Sequence, residues 1–185
     1  AAGEPVVILP SRLIWEKGIQ EFVDAAKQLQ REGITARFAL IGNTHSSNPR
    51  AVPEATLRGW ADDGIVEWWG RREDMPEVMA QSHIVCLPSK YGEGVPKVLL
   101  EAAAAGRAIV ATDTPGCRQV ITDGVEGLLV PPGDSAALAI ALRRLLEKPD
   151  ERKAMGAAGR DRAVAELDID QVVARTLTIY GELRR

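Results

Sequence analysis

The sequence predicts an α/β fold, an open parallel sheet of about six strands with helices on both faces and a helical C-terminal tail. Short runs of apolar, often β-branched residues alternate with longer segments whose apolar residues recur at helical spacing. The short runs are apolar almost throughout, which is typical of strands buried on both faces of a parallel sheet. The intervening helices supply the right-handed crossovers that such a sheet requires.

The predicted strands all end in polar, proline or glycine residues. The strands are residues 6–9, 38–41, 65–69, 84–87, 108–111 and 128–130. The segments that follow them include residues 10–12, 42–44, 70–72, 88–93 and 112–116. In an open parallel sheet the carboxyl ends of the strands share one edge, and ligands bind there. We therefore expect the functional site at this edge.

Helical periodicity accounts for most of the remaining chain. Helices are predicted over residues 18–31, 52–62, 74–81, 96–105 and 134–147, followed by residues 151–166 and 170–183 in the tail. The last of these helices carries Val172, Val173, Leu177 and Tyr180 in an amphipathic pattern.

Composition restricts the class of protein. The chain has 185 residues, 45% of them apolar and 26% charged, with a net charge of -3. These values fit a globular domain with a sizeable core and give no long-range attraction to nucleic acid. Cys86 and Cys117 lack the spacing of metal ligands, so we expect reduced thiols without a catalytic role.

Two carboxylates, Glu93 and Glu101, lie eight residues apart on either side of Pro96, which predicts the start of a helix. The free amides and positive dipole of a helix start attract phosphate, and Gly94 allows a ligand to approach the backbone closely. Ionised carboxylates accept hydrogen bonds from sugar hydroxyls. This pattern favours a site for a phosphorylated sugar.

Two cations, Arg12 and Lys17, lie five residues apart on the loop after the first predicted strand. Arginine binds phosphate oxygens in a bidentate fork, and lysine acts as a point charge. A solvated basic loop is the alternative interpretation, because most surface charges are merely solvated. In combination with the carboxylate pair, we favour a diphosphate clamp.

Six ordered blocks complete the pattern: Arg12-x4-Lys17-Gly18, residues 40–42, residues 84–89, Glu93-x7-Glu101, residues 105–112 and residues 127–134. Through these blocks, residues 4–148 resemble the C-terminal, nucleotide-sugar-binding half of retaining family 4 glycosyltransferases of the GT-B architecture. The resemblance implies a Rossmann-like domain over residues 1–165. It further implies that residues 166–185 form a helix that crosses to an N-terminal acceptor domain missing from this sequence.

The resemblance also implies roles for individual residues. Arg12 and Lys17 would hold the diphosphate and stabilise the leaving group, Glu93 would lie by the hydroxyls of the donor sugar, and Glu101 would bind the ribose. The remaining donor-binding residues implied are Gly94, Val95 and Pro96 at the phosphates, Gly42 beside the nucleotide, and Arg72 at the border of the base.

The implied reaction moves a sugar from a nucleotide-diphosphate donor, with a UDP-sugar preferred over a GDP-sugar, to a glycan acceptor. Similar transferases build bacterial capsule, O-antigen or lipopolysaccharide on lipid carriers. We expect no metal cofactor, because Arg12, Lys17 and the helix dipole can stabilise the diphosphate and no Asp-x-Asp motif ends a predicted strand. Asp168-Ile169-Asp170 has that spelling but lies where a helix cap is expected. We expect a cytoplasmic protein, with peripheral binding at the inner face of the membrane left open for the full-length enzyme.

Two alternatives stay open at the level of sequence. The chain could be a nucleotide-sugar-binding module without turnover, since the acceptor site belongs to the missing domain and this chain alone is expected to be inactive. A sugar epimerase of the same two-domain architecture is a minor alternative. A dinucleotide oxidoreductase is excluded, because no Gly-x-Gly-x-x-Gly follows a predicted strand.

Overall fold

The structure is a computed structural model that describes residues 3–45, 47–92, 94–167 and 169–183. Its strands are β1 (Val6–Pro10), β2 (Arg37–Ile41), β3 (Glu67–Gly70), β4 (Ile84–Leu87), β5 (Ala108–Thr112) and β6 (Gly127–Val130). Its helices are α1 (Ile19–Arg31), α2 (Glu54–Asp62), α3 (Met75–Gln81), α4 (Lys97–Ala104), α5 (Pro115–Arg118), α6 (Ser135–Glu147), α7 (Pro149–Glu166) and α8 (Ile169–Leu183). A single turn of 3-10 helix, Trp15–Lys17, precedes α1.

All six strands are parallel, in the order β3-β2-β1-β4-β5-β6. The chain first builds outward from β1 to β3, and then returns to the other side of β1 with β4. Val7 of β1 therefore pairs with Phe38 on one side and with Ile84 on the other. The prediction of a parallel sheet with helices on both faces is confirmed.

Strands β1, β2, β4 and β5 bury side chains on both faces of the sheet, because successive residues of a strand point in opposite directions. Val7 and Leu9 of β1 belong to a core with α1, α2 and α6, in which Phe22 meets Phe38 edge to face with ring centroids 5.8 Å apart. Ile8 belongs to a second core with Leu99 of α4 and with α3 and α7. This double burial explains the continuous apolar runs.

Element boundaries differ from the prediction in a few places. Strand β3 begins two residues later than predicted, because the amides of Ile65 and Val66 donate to the carbonyl of Trp60 and so extend the end of α2. Pro96 is extended and lies just before α4 instead of forming its first turn. Helix α7 begins at Pro149, whose fixed φ suits a first helical turn. The four-residue helix α5 was not predicted.

The C-terminal helix α8 makes no extensive contact with any other described element. Val173, Leu177 and Tyr180 form one exposed apolar stripe along it, since their spacing corresponds to about two helical turns. The predicted amphipathic pattern is confirmed for these three residues, while the side chain of Val172 lies outside the description. None of the described helices is long and apolar enough to cross a membrane.

Candidate functional site

The candidate site lies at the carboxyl edge of the sheet, defined as the edge where the strands end, between the neighbouring strands β1 and β4. Residues 11–18 follow β1 and lead to α1, and residues 88–96 follow β4 and lead to α4. Because α1 and α4 cover opposite faces of the sheet, the chain continues from these two neighbouring loops to opposite sides of the sheet. Such a reversal of strand order leaves a crevice in which open α/β sheets bind ligands.

The two loops contact each other through their backbones. Gly18 has a φ of 73°, and a Cβ at this position would lie 2.0 Å from the carbonyl oxygen of Pro88. The amide of Lys90 donates a 2.9 Å hydrogen bond to the carbonyl of Glu16. Only glycine permits both the left-handed conformation and the close approach at position 18. The spacing of the two loops is therefore set by direct contact.

Gly42 supports the same edge from the loop after β2. A Cβ on Gly42 would lie 1.9 Å from the carbonyl oxygen of Ser11, so the loop after β1 rests directly on this glycine. Its amide donates to the carbonyl of Gly70 at 2.8 Å, and its carbonyl accepts from the indole nitrogen of Trp68 at 3.0 Å. Packing within the protein thus accounts for glycine at this position.

The two predicted cations lie on the loop after β1. Arg12 is exposed, and its guanidinium makes no ion pair or hydrogen bond with another described residue. Lys17 is half-buried at the end of the 3-10 turn, where its amide donates to the carbonyl of Ile14 at 3.0 Å. The structure thus places both positive charges at the carboxyl edge.

The start of α4 faces this edge from the other loop. Gly94 and Val95 are exposed, and no described side chain caps the helix at Pro96. The first amides of a helix have no partner within it, and together with the helix dipole they attract an anion. Glu93, the predicted neighbour of the donor sugar, lies outside the described residues.

Glu101 lies one turn into α4. Its side chain is 33% exposed, and Oε1 accepts from the Nζ of Lys97 at 2.9 Å, a hydrogen bond that raises the pKa of Lys97. Glu101 borders a groove of about 460 Å³ between α3 and α4, whose lining includes Met75 and Met79. The carboxylate is therefore partly accessible from this groove.

Arg72 lies after β3, two strands away from β1. Its guanidinium makes a bidentate fork with Asp74, with 2.7 Å between Nε and Oδ1. The hydrogen bond from Arg72 lowers the pKa of the Asp74 carboxyl. The fork ties Arg72 to the residue just before α3. Because β3 lies two strands from β1, the structure does not bring this predicted residue directly to the two loops of the crevice.

The described residues contain no group of three or more His, Cys, Asp and Glu side chains that could hold a metal ion. Asp168, part of the predicted helix cap, lies outside the described residues. Both cysteines are buried, and burial raises the pKa of the Cys86 thiol.

One pair of residues at this edge was missed at the level of sequence. The Nζ of Lys90 lies 2.8 Å from Oε1 of Glu21, which joins the loop after β4 to the first turn of α1. Lys90 is the third residue after a predicted strand and lies within residues 88–93, which the sequence assigned to the edge, but no role was predicted for it. The partner could not be found from sequence, because only the adjacency of β1 and β4 brings Glu21 near.

Comparison with known proteins assigns a family to this fold. A sequence profile described as "Glycosyl transferases group 1" matches residues 4–148. The chain belongs to the group 1 glycosyl transferases. Its all-parallel sheet with helices on both sides matches domains of GT-B glycosyltransferases, as the resemblance had implied.

Among its relatives, the N,N'-diacetylbacillosaminyl-diphospho-undecaprenol alpha-1,3-N-acetylgalactosaminyltransferase of Campylobacter jejuni is 31% identical over 182 residues. The match covers 97% of this chain and 45% of that protein. This group 1 glycosyl transferase chain thus spans about half the length of the curated relatives it matches.

Two solved structures show the same fold. Anabaena Alr3699/HepE in complex with UDP has a TM-score of 0.84 and 27% identity, with 96% of this chain and 49% of that chain covered. The C-terminal domain of a group 1 glycosyl transferase family protein (LpcC) from Francisella tularensis has a TM-score of 0.77 and 23% identity. That match covers 90% of this chain and 88% of that domain, so this fold has been crystallised as a separate unit.

Proposed function

We propose that this chain is the donor-binding half of a retaining glycosyltransferase. The observation that carries the proposal is the meeting, at one crevice, of the loop with Arg12 and Lys17 and the uncapped start of α4. Positive charge and free amides on the two sides of a crevice are suited to a diphosphate. The complex of the neighbour HepE with UDP supports a nucleotide diphosphate as the ligand.

In this proposal each part of the site binds a different part of the donor. Arg12 and Lys17 contact the diphosphate from the loop after β1, and the backbone of residues 94–96 contacts it from the start of α4. Glu101 accepts hydrogen bonds from the ribose hydroxyls. Arg72 borders the base, while Gly42 supports the loop on which the nucleotide rests. Glu93 is assigned to the donor sugar by its place in the sequence.

The reaction breaks the bond between the anomeric carbon and the diphosphate oxygen, and the anomeric carbon forms a new bond to an acceptor hydroxyl with retention of configuration. Negative charge develops on the departing diphosphate. Arg12, Lys17 and the dipole of α4 stabilise that charge, which is where preorganised electrostatics contribute most to catalysis. We propose that these groups do so without a metal ion.

A second domain completes the enzyme in this proposal. The relatives are about twice as long as this chain, which supports a missing N-terminal domain that binds the acceptor. We propose that residues 166–185 cross to that domain and that Val173, Leu177 and Tyr180 pack against it, since these apolar side chains are exposed here. The undecaprenol in the name of the Campylobacter relative supports a lipid-linked acceptor. We propose that the full-length enzyme meets this acceptor at the inner face of the membrane.

Calorimetric titration of this chain with UDP and with GDP tests the proposal. We expect one nucleotide, with UDP preferred, to bind, and we expect Lys17→Ala and Glu101→Ala each to weaken binding about 10-fold to 100-fold. This range corresponds to the loss of one charge-assisted hydrogen bond.

Lys153→Ala is the matched control, because Lys153 is an exposed cation on α7, outside the crevice. Equal loss in the control would show unspecific charge attraction. Absence of binding by both nucleotides would contradict the proposal for this chain. If an N-terminal domain is restored and nucleotide still binds without sugar transfer, the chain is a binding module without turnover.

A further inference from the structure

A salt bridge joins the loop after β4 to the first turn of α1, close to the proposed phosphate site. The Nζ of Lys90 lies 2.8 Å from Oε1 of Glu21, with the lysine side chain 38% exposed and the glutamate side chain 11% exposed. Lys90 belongs to the loop that leads to α4, and Glu21 lies in the first turn of α1. The pair therefore spans the point where the strand order reverses.

Lys90 is held by its backbone as well as by its side chain. Its amide donates to the carbonyl of Glu16 at 2.9 Å, one residue before Lys17. The neighbouring carbonyl of Ser89 accepts from Oγ1 of Thr112 at 2.8 Å. The loop after β4 is therefore fixed against the loop after β1 on one side and against the end of β5 on the other.

The charges of the pair depend on each other. Oε2 of Glu21 is buried and has no hydrogen-bond partner among the described residues. Lys90 pairs with Glu21, while Glu16 on the preceding loop is paired with Arg50 at 3.1 Å. A buried carboxylate that loses its cation is strongly destabilised, so removal of Lys90 should displace Glu21 and the start of α1.

We infer that Glu21 and Lys90 are positioning residues that set the spacing between the two halves of the diphosphate site. This inference rests on the proposed function. Lys90 acts through Glu21 and does not contact the phosphates. The pair holds Lys17 on one loop and residues 94–96 on the other at the separation that a diphosphate spans, and a small misplacement of such groups weakens binding.

Nucleotide titration of single and double variants tests this inference. We expect Lys90→Met and Glu21→Gln each to weaken binding of UDP about tenfold, and we expect the double variant to be no weaker than either single variant, because both remove the same interaction. Lys90→Arg should restore most of the affinity. A lysine that binds phosphate directly would behave differently: Glu21→Gln would leave the affinity unchanged or raise it, and that result would overturn the inference.

Hydrogen exchange supplies a second readout that does not depend on nucleotide binding. In Glu21→Gln and in Lys90→Met, we expect faster exchange in peptides from both loops, residues 11–18 and 88–96. Faster exchange in α1 alone would show a local structural role and would overturn the inference. If the wild-type chain binds neither UDP nor GDP, the proposed function fails, and the exchange result alone decides whether the pair couples the loops.

Arg37→Met is the matched control for both measurements. Arg37 pairs with Glu67 at 2.6 Å, with side chains 47% and 40% exposed, at the opposite edge of the sheet. We expect this variant to leave nucleotide affinity and exchange in the two loops unchanged. A tenfold loss of affinity in Arg37→Met would show that any broken ion pair weakens binding, which would also overturn the inference.

Discussion

The polar groups at the two edges of the sheet differ in their hydrogen-bond partners. At the amino edge, where the strands begin, polar groups bond to other parts of the protein. His83 accepts from the amide of Val6 at 3.1 Å through Nδ1. Arg107 donates to the carbonyls of Ser82 and Ala105 at 3.0 and 3.1 Å. These contacts tie strands and helices together and leave few groups for a ligand.

At the carboxyl edge, several groups are left open among the described residues. Arg12 makes no side-chain contact with a charged or polar partner, the start of α4 has no side-chain cap, and Tyr91 and Val95 are 68% and 52% exposed. Both edges belong to the same strands, and in an open parallel sheet the carboxyl edge is the one at which ligands bind. The difference agrees with the proposal that the carboxyl edge serves binding.

The largest expected effect compares Gly18, which is crowded at the carboxyl edge, with Gly33, which has open space where a Cβ would lie. Gly18 and Gly33 have nearly the same φ, 73° and 77°, but a Cβ on Gly33 would meet no atom within 4 Å. We expect Gly18→Ala to lower the free energy of unfolding by about 3 to 4 kcal/mol, from backbone strain and overpacking together, and Gly33→Ala by about 1 kcal/mol from strain alone. Urea unfolding of both variants measures the difference. Equal costs would mean that the two loops are not in contact.

The next largest effect contrasts Arg12, which we expect to affect nucleotide binding, with Arg107, which we expect to affect stability. We expect Arg12→Ala to weaken nucleotide binding about 10-fold to 100-fold and to change the free energy of unfolding by less than about 0.5 kcal/mol, because its guanidinium has no described partner. Arg107→Ala should instead lower the free energy of unfolding by about 1 to 2 kcal/mol, since it removes two hydrogen bonds to carbonyls. Calorimetry and urea unfolding on both variants test the contrast. A loss of stability in Arg12→Ala comparable to that in Arg107→Ala would contradict the contrast between the two edges.

A smaller effect concerns the pH dependence of the amino edge. Burial, with Arg152 and Arg107 nearby, lowers the pKa of His83 below its ordinary value of about 6.5. Below this pH the unfolded chain binds a proton that the folded chain does not, so stability should be constant well above about 6.5 and fall as the pH drops through that value. One proton gives at most about 1.4 kcal/mol per pH unit, and the partial exposure of the ring reduces this slope.

The control for this prediction is His83→Asn, whose side-chain oxygen can accept from the amide of Val6 and does not titrate in this range. Urea unfolding at several pH values should show a flatter profile for His83→Asn than for the wild type. Parallel profiles would mean that His83 is protonated equally in the folded and unfolded chain.

The smallest expected effect is at the pair formed by Arg37 and Glu67. Although the hydrogen bond from Arg37 lowers the pKa of the Glu67 carboxyl, both side chains are largely exposed and water screens their attraction. We expect Arg37→Met to lower the free energy of unfolding by less than about 1 kcal/mol at low salt, and by less at high salt. A larger, salt-independent loss would show that the amino edge depends on this pair more than its exposure suggests.

Most of the strands and helices could be predicted because the residue patterns that define them extend over only a few neighbours in the chain. Strand β4 was predicted at its observed bounds, and β1, β2, β5 and β6 differ by one residue, since a short apolar run between turn residues can be recognised without knowledge of its neighbours. Prediction was weaker for β3, where Ile65 and Val66 look like strand residues but bond to the end of α2. Helix α5 was missed because proline and glycine are poor helix formers.

The candidate site was predictable to the extent that its residues lie on loops after strands. Arg12, Lys17 and residues 94–96 are at the carboxyl edge, where the sequence indicated them. The fork between Arg72 and Asp74, and the distance of Arg72 from the two loops of the crevice, required coordinates. Their roles in binding stay predictions until a nucleotide is titrated.

The sequence by itself determined the parallel α/β class, the helices and strands, and the chemical character of each loop, because periodicity, β-branching and turn residues act over a few neighbours. Only the tertiary structure decided which loops meet. The order of the strands places β1 beside β4, and this one adjacency brings Gly18 onto Pro88 and Lys90 onto Glu21. Such contacts join residues far apart in the chain, and their physical basis is the packing of the whole sheet.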